Sequence, residues 1–140
     1  MFLKSNACEE LLTFILSLQK SVIGVRISES ELTAEIQPLM EWLETIDKWI
    51  DEVPPIEQPM RFGNKSFRVW VDRVRASADE MLFKVYPHEG FKLAIPELNH
   101  YFMDSFGSYE RIDYGTGHEL NFLLFLLCLF KLKVLSEDSL

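Results

Sequence analysis

The fold is decided by the stretch TGHELNFLLFLLCLFKLKVL, residues 116–135. Within it, nine apolar residues follow one another from Phe122 to Phe130. A membrane-spanning helix needs about 20 such residues, so this run is too short to be one. At 3.6 residues per turn its apolar side chains point in every direction, which is typical of a buried helix. The stretch therefore predicts a last helix from Thr116 to about Leu135, the central and most buried element of the molecule.

Two amphipathic patterns occupy the N-terminal part of the chain. Residues 6–23 carry apolar side chains at helical spacing, and Ser5 or Asn6 can cap the start of this first helix. Residues 31–52 predict a second helix by the same spacing. Pro38 interrupts that pattern, so the second helix either begins near this proline or kinks there.

Two further helical regions lie between the second helix and the last one. Asn64 predicts the N-cap of a third helix, which stops before Pro87. Residues 91–106 predict a fourth, in two pieces around Pro96. No window alternates polar and apolar residues for long enough to indicate a strand. The pattern predicts one all-α domain of about five helices over residues 1–140.

The composition narrows the classes of function. The formal net charge is −8, because 22 acidic side chains outnumber 14 basic ones. Such a chain is a poor candidate for binding nucleic acid. Glu9 and Glu10 interrupt the apolar start, which argues against a secretory signal peptide. Cys8 and Cys128 lie in apolar helical patterns and indicate reduced core thiols. We expect a cytoplasmic protein with no nucleic-acid or membrane partner.

The loop DYGTGHE, residues 113–119, is the first candidate site. Gly115 and Gly117 can take positive φ values and let a ligand approach the backbone, while the helix that follows directs free N–H groups to the same place. One interpretation is a polar cup for a peptide carbonyl or a phosphate. The other is a tight turn, in which Thr116 caps the helix and Glu119 completes a capping box. The side chains around the cup would be Asp113, His118 and Glu119.

Several catalytic motifs are excluded by spacing. A zinc site of the H-E-x-x-H type requires a second histidine where Phe122 stands, and His88 and His100 show no ligand spacing. The dinucleotide motif G-x-G-x-x-G fails at Leu120. No Cys–His or Ser–His pair indicates a nucleophile, and we expect no metal site.

The second candidate site is EQPMRFGNKSFRVW, residues 57–70. Arg61, Lys65 and Arg68 cluster around a glycine and a predicted helix start, so they can hold a phosphate or the carboxylates of a partner. The alternative is an ordinary solvated helix face. Trp70 falls on the apolar stripe of the third helix and is predicted to be a core residue.

Two long segments resemble one known family. WIDEVPPIEQPMRFGNKSFRVW (49–70) and RIDYGTGHELNFLLFLLCL (111–129) are similar to motifs of the protein phosphatase 2A activators, also called phosphotyrosyl phosphatase activators. ACEELLTFILSLQKSVIG (7–24) resembles the family's early helix. The resemblance covers essentially the whole chain. Family members are longer, so we expect a shortened member or a fragment that holds part of the family domain.

The resemblance implies a fold, an activity and partners. Members have all-α folds around a groove and are assigned peptidyl-prolyl cis–trans isomerase activity on proline-containing peptides. They bind the catalytic subunit of protein phosphatase 2A and help to bring it to an active, metal-loaded state, in a process that uses ATP and Mg²⁺. These properties also imply a location in the cytoplasm and the nucleus.

The resemblance also implies site residues. The groove loop, which would bind substrate, consists of Tyr114, Gly115, Thr116 and Gly117. The side chains that would polarise or orient the prolyl bond are Asp113, His118 and Glu119. The residues that would face the nucleotide and the phosphatase are Arg61, Phe62, Gly63, Asn64 and Lys65. Two alternatives stay open: a non-catalytic, chaperone-like regulator of the phosphatase, and an inactive shortened form.

Overall fold

The computed structural model describes residues 2–26, 28, 32–59 and 63–136. Its elements are a 3₁₀ turn (Phe2–Lys4) and the helices α1 (Asn6–Val22), α2 (Gln37–Glu52), α3 (Ser66–Val85), α4 (Glu89–Lys92), α5 (Ile95–Asp104) and α6 (Thr116–Lys131). Over these described ranges the only β pairing is one isolated antiparallel bridge between Ser108 and Asp113. The predicted all-α class is confirmed.

Local capping chemistry sets where the first two helices begin. Ser5 caps α1, and its hydroxyl accepts a hydrogen bond from the Cys8 N–H at 3.3 Å. α2 begins at Gln37 with Pro38 in its first turn. A proline is tolerated there because the first N–H groups of a helix have no intrahelical acceptor. α2 therefore begins near Pro38, which confirms the first of the two alternatives, and the described residues 32–36 before it are not helical.

The third and fourth predicted regions are close to the observed helices. The N-cap position of α3 is Lys65 rather than Asn64, but the Asn64 Oδ1 atom still accepts a hydrogen bond from the Ser66 N–H at 3.0 Å. The fourth region is two helices, α4 and α5, with Pro96 in the first turn of α5. The predicted break at this proline is confirmed.

The core lies between α2, α3, α5 and α6. Trp42 of α2 stacks on Phe102 of α5 with ring centroids 4.3 Å apart, and Phe102 contacts Phe125 of α6 at 5.2 Å. Trp70 of α3 is buried beside them, as predicted. These aromatic contacts join the helices that carry both candidate sites, so the sites rest on a rigid base.

The prediction that α6 is the most buried helix was wrong. Only Phe125 and Leu129 of α6 are buried, whereas α3 has six buried residues. The reason is that α6 packs mainly on α5 and, more lightly, on α1, so its other apolar side chains are half-buried. The helix also ends at Lys131 rather than near Leu135, because the Val134 N–H donates to the Leu129 carbonyl and closes the end.

α1 lies at the edge of the molecule. It contacts α6 through the rings of Phe14 and Phe130, whose centroids are 5.2 Å apart, and through an exposed ion pair between Glu10 and Lys131 at 2.5 Å. Cys8 is buried, whereas Cys128 is only half-buried and lies less deep than predicted. No helix in the described part of the chain is both long enough and apolar enough to cross a membrane.

Candidate functional site

The segment between α5 and α6 forms a tight, hydrogen-bonded loop. The Ser108 N–H donates to the Asp113 carbonyl at 2.9 Å, and the Ile112 N–H donates to the Ser108 carbonyl at 2.8 Å. Gly107 has φ +121°, a left-handed conformation that favours glycine, and Ile112 has φ +53°. We call residues 107–115 the acidic loop, because this segment contains Asp113 and ends where α6 begins.

Arg68 anchors the acidic loop to α3. Its Nε atom donates to the Tyr109 carbonyl at 2.9 Å, and its Nη2 atom donates to the Glu110 carbonyl at 2.7 Å. The guanidinium groups of Arg68 and Arg75 lie 5.5 and 4.9 Å from the centre of the Tyr109 ring. Arg68 therefore anchors the loop through two backbone carbonyls, a role that neither interpretation of the basic cluster included.

The two segments singled out by the sequence meet in space. A Cβ atom on Gly63 would overlap the Ile112 carbonyl oxygen and would lie 2.5 Å from Ile112 Cγ2. Only a residue without a side chain fits there. Gly63, Asn64 and Lys65 therefore lie directly beside the acidic loop. Arg61 and Phe62, the other members of that predicted set, lie outside the described residues.

The Asn64 side chain is used for structure. Its Nδ2 atom donates to the Ile56 carbonyl at 2.8 Å, and its Oδ1 atom accepts from the Ile56 N–H at 3.2 Å. Gln58 completes the turn, since its Oε1 atom accepts from the Lys65 N–H at 3.0 Å and its Nε2 atom donates to the Gly63 carbonyl at 3.1 Å. Lys65 is the described basic side chain of this turn, and it is exposed to solvent.

His118 is held in a defined orientation. Its Nδ1 atom lies 2.5 Å from the carbonyl oxygen of Asp104, at the end of α5. A carbonyl can only accept, so Nδ1 carries the proton, and in the neutral ring Nε2 is left as an acceptor. The Tyr114 ring flanks the imidazole, with centroids 5.3 Å apart and planes at 33°. The ring therefore presents Nε2 from a fixed position.

The two carboxylates differ in their surroundings. The Asp113 carboxylate accepts from Arg111 Nε at 3.1 Å, in a pair whose members are both more than half exposed, so the attraction is weak. Glu119 is exposed on the first turns of α6. The predicted capping box was wrong, because Gly115 is the N-cap of α6 and makes no side-chain cap, which leaves Thr116 inside the helix.

The two glycines of the loop matter because they have no side chains, and not because of unusual φ values. Gly115 is extended, with φ −155°, and Gly117 lies inside α6, so neither uses the positive φ values that glycine can take. A Cβ atom on either residue would meet nothing within 4 Å. The two glycines therefore leave the backbone at the start of α6 open to an approaching ligand, as the cup interpretation requires.

An open cavity of about 490 Å³ lies next to this backbone. Its walls are mostly apolar, and the lining residues are Ser105, Phe106, Tyr114, Glu119, Phe122 and Leu123. The Ser105 hydroxyl donates to the Phe102 carbonyl at 2.6 Å, so Glu119 is the charged residue of the lining. Sequence reasoning missed Ser105, Phe106 and Phe122 as site residues. Phe122 could have been found, because it lies one helical turn after Glu119.

A second cavity of about 370 Å³ lies on the other side of Phe106, and Ile50, Asn64 and Trp70 are among the residues that line it. Phe106 lines both cavities, so the two apolar hollows are neighbours on the protein surface. Within the described ranges, no three His, Cys, Asp or Glu side chains come close enough together to hold a metal ion.

Burial raises the pKa of Cys128 and of Tyr86, two side chains that lie away from this cavity. Desolvation raises the pKa of the Cys128 thiol above its ordinary value, with the nearby Glu97 carboxylate adding to the effect. Cys128 is therefore a thiol, not a nucleophilic thiolate, as the sequence predicted. Desolvation also raises the pKa of Tyr86 to about 12. Neither group lines the 490 Å³ cavity.

The whole chain matches one family of known proteins. The family model described as "Phosphotyrosyl phosphate activator (PTPA) protein" matches residues 1–140. The chain belongs to the PTPA family. Among curated PTPA relatives, "Serine/threonine-protein phosphatase 2A activator" of Drosophila melanogaster is 37% identical over 135 residues, which are 96% of this chain and 34% of that protein.

Two more relatives agree. "Probable serine/threonine-protein phosphatase 2A activator 1" of Dictyostelium discoideum is 36% identical over 139 residues, covering 99% of this chain and 42% of that protein. The crystal structure of the PP2A phosphatase activator Ypa1 PTPA1 superposes with a TM-score of 0.75 at 30% identity, over 86% of this chain and 41% of that one. The predicted PTPA fold is confirmed, and the chain spans about a third to two fifths of the length of these relatives.

Proposed function

We propose that this PTPA-family chain activates serine/threonine protein phosphatase 2A by binding its catalytic subunit. The relatives named as phosphatase 2A activators support this partner. The observation that carries the proposal is the contact between Gly63 and Ile112, which brings the two family-like segments onto one face of the molecule. That face carries Lys65, Asp113 and the two cavities lined by Phe106, so it offers charge and apolar area together to a protein partner.

We also propose that the same face isomerises prolyl peptide bonds. Rotation about an amide has a barrier of about 18–20 kcal/mol, because resonance must be broken. The reaction needs no nucleophile; a site that binds the twisted amide better than the planar one lowers the barrier. The apolar wall formed by Phe106 and Phe122 can take the proline ring.

The polar groups then act on the peptide bond itself. The first N–H groups of α6, at Thr116 and Gly117, have no intrahelical acceptor and can donate to the substrate carbonyl. The substrate-binding loop from Tyr114 to Gly117 would hold the peptide. Asp113, His118 through Nε2, and Glu119 would polarise or orient the prolyl amide.

The described residues around Gly63 offer few free groups to a nucleotide. The Asn64 amide and two donors of Arg68 bond to backbone carbonyls, and Lys65 is the exposed basic side chain in that turn. We therefore assign ATP and Mg²⁺ to the complex with the phosphatase rather than to this chain alone, and we derive no chemical step from them. Together with the phosphatase partner, we propose that this chain is located in the cytoplasm and the nucleus.

A non-catalytic regulator is the second candidate function. It is favoured by the way Arg68 and Gly63 rigidify the acidic loop, because a rigid, preorganised surface suits docking as well as chemistry. In that case the chain would remodel the phosphatase by binding alone. An inactive shortened form would neither bind nor isomerise.

One experiment separates these cases. We would measure binding of the purified chain to the phosphatase 2A catalytic subunit, with and without ATP–Mg²⁺, together with prolyl isomerisation of a short peptide. The variant Glu119→Gln removes one charge from the cavity, and Glu89→Gln removes the same charge from exposed α4 as its control. Loss of isomerisation but not of binding in Glu119→Gln alone supports the enzyme. Binding without isomerisation in the unmodified chain supports the regulator, and absence of both contradicts the proposal.

A further inference from the structure

Gly63 and Ile112 make an unusually close contact between segments that are far apart in the sequence. A Cβ atom at position 63 would lie 2.5 Å from Ile112 Cγ2 and 3.0 Å from Ile112 Cβ, besides overlapping the carbonyl oxygen. Real Cβ atoms do not approach backbone this closely. This overlap by itself requires glycine at position 63, because any side chain there would collide with Ile112.

Ile112 is the strained partner in this contact. Its φ of +53° is a genuine outlier for a β-branched residue, whose side chain crowds the left-handed conformation. In the described part of the chain the other non-glycine residue with positive φ is Lys133, which follows the C-cap of α6, where that conformation is the usual way to end a helix. Ile112 ends no helix; it is the last residue of the turn between Ser108 and Asp113, where its conformation is held by the contacts around it.

The surroundings that impose it are identifiable. The Ile112 N–H is tied to the Ser108 carbonyl, and the next carbonyl along, that of Asp113, is tied to the Ser108 N–H. Arg68 holds the middle of the same loop by two carbonyls. Gly63 closes the remaining side, because it lets its own segment lie against Ile112 without a side chain between them.

The residues that follow Ile112 are those of the candidate site. A change of φ at Ile112 rotates the chain leading to Asp113 and Tyr114, and Tyr114 in turn flanks the His118 ring at 5.3 Å. We propose that Gly63 and Ile112 are positioning residues, whose contact fixes where Asp113 and Tyr114 stand. The effect on activity rests on the proposed function, whereas the effect on structure does not.

The test uses the full chain with three substitutions. Gly63→Ala inserts the methyl group that the contact excludes. Ile112→Gly keeps the left-handed conformation accessible and removes the side chain from the contact. Ile112→Val is the conservative variant, because it keeps the Cγ2 methyl group that faces Gly63 and loses only the outer Cδ1.

The first readout is the set of ring-proton NMR signals of His118, which sense the Tyr114 ring and can be distinguished from those of the two other histidines. In Gly63→Ala and Ile112→Gly these signals shift by more than their linewidth, and the Ser108 and Ile112 amides exchange faster, while circular dichroism shows unchanged helix content. In Ile112→Val the His118 signals stay as they are in the unmodified chain. Unchanged His118 signals in both contact-breaking variants would overturn the proposal.

The second readout is prolyl isomerisation and phosphatase binding. A misplacement of about 1 Å can cost about 100-fold in rate, and we expect a loss approaching that size in Gly63→Ala and Ile112→Gly. Because both break one contact, the double variant loses about as much as the worse single one; additive losses contradict the inference. If Gly63→Ala fails to fold, the same measurements on Ile112→Gly decide whether the contact positions the site. If the unmodified chain has no activity, the proposed function fails, and the NMR readout still tests the positioning role.

Discussion

His118 and Asp104 connect the two helices that frame the candidate site. The Nδ1 atom of His118, in the first turn of α6, lies 2.5 Å from the Asp104 carbonyl oxygen at the end of α5. α5 is fixed in turn by the buried Phe102, which packs on Trp42 and Phe125. The orientation of the imidazole is therefore set by the hydrophobic core and not by the loop alone.

His118→Ala should lower the free energy of unfolding by about 1 kcal/mol, the usual net value of one hydrogen bond. His118→Asn should cost less, because the side-chain amide can still donate to the Asp104 carbonyl. Both variants remove the acceptor Nε2, so both should lose isomerisation. Urea denaturation and a peptide isomerisation assay measure the two effects. Equal losses of stability in both variants would contradict the tautomer assigned to His118.

Arg68→Lys should destabilise the chain by about 1–2 kcal/mol, because a lysine cannot donate to the Tyr109 and Glu110 carbonyls at once. Arg73→Lys is the control. Arg73 pairs with the exposed Glu52 and lies over the Trp49 ring, so its replacement should cost less than about 1 kcal/mol. Denaturant unfolding of the two variants measures the difference, and equal costs would show that the loop does not depend on Arg68.

Stability should fall at high pH because of Tyr86. Its folded pKa is about 12, raised from 10.0 first by desolvation and then by the Glu35 charge. The folded state therefore favours the neutral phenol, and this contribution is fully present below pH 10 and is lost as the pH rises towards 12. Because the hydroxyl is partly solvated, we expect a loss of about 1–2 kcal/mol.

Tyr86→Phe isolates this effect. The variant also loses the hydrogen bond from the Tyr86 hydroxyl to the Glu35 carbonyl, which is 3.2 Å long, so it should be less stable at neutral pH. The stability difference between the two proteins should narrow between pH 10 and pH 12. Urea unfolding at several pH values tests this, and a constant difference across that range would contradict the assignment.

Trp42 and Trp70 form a matched pair for a test of buried hydrogen bonding. The Trp70 Nε1–H donates to the Ile46 carbonyl at 3.1 Å, whereas the buried Trp42 Nε1–H has no partner among the described residues. Both indoles lose similar volume when replaced by phenylalanine. Trp42→Phe should therefore cost about 1 kcal/mol less than Trp70→Phe, because it also removes an unsatisfied donor. Thermal or urea unfolding gives the two values, and the reverse order would contradict the argument.

Local rules predicted much of the fold. Helical periodicity located the helices, and prolines marked the start of α2 and the break before α5. The burial of α6 was not predictable in this way, because an apolar residue is buried only where another element covers it. Phe125 faces α5 and the core, while many of its apolar neighbours on α6 are left half-buried.

The candidate site was only partly predictable for a related reason. The loop from Asp113 to Glu119 carries a local signature, so its residues could be named from the sequence. Ile112 carries none that the sequence reading recognised: its positive φ occurs in the turn closed by Ser108, and the glycine packed against it, Gly63, is distant in the chain. The role of Arg68 as a loop anchor was missed for the same reason, since spacing alone makes any exposed arginine look like an anion ligand.

Gly117→Val tests the central claim most directly, because position 117 has open space for a side chain and helical backbone that valine accepts. The measurement is prolyl isomerisation and binding to the phosphatase 2A catalytic subunit, with helix content checked by circular dichroism in the same sample. We predict that Gly117→Val stays folded and loses isomerisation, because the valine side chain blocks access to the N–H groups at the start of α6. A folded variant with full activity would contradict the account.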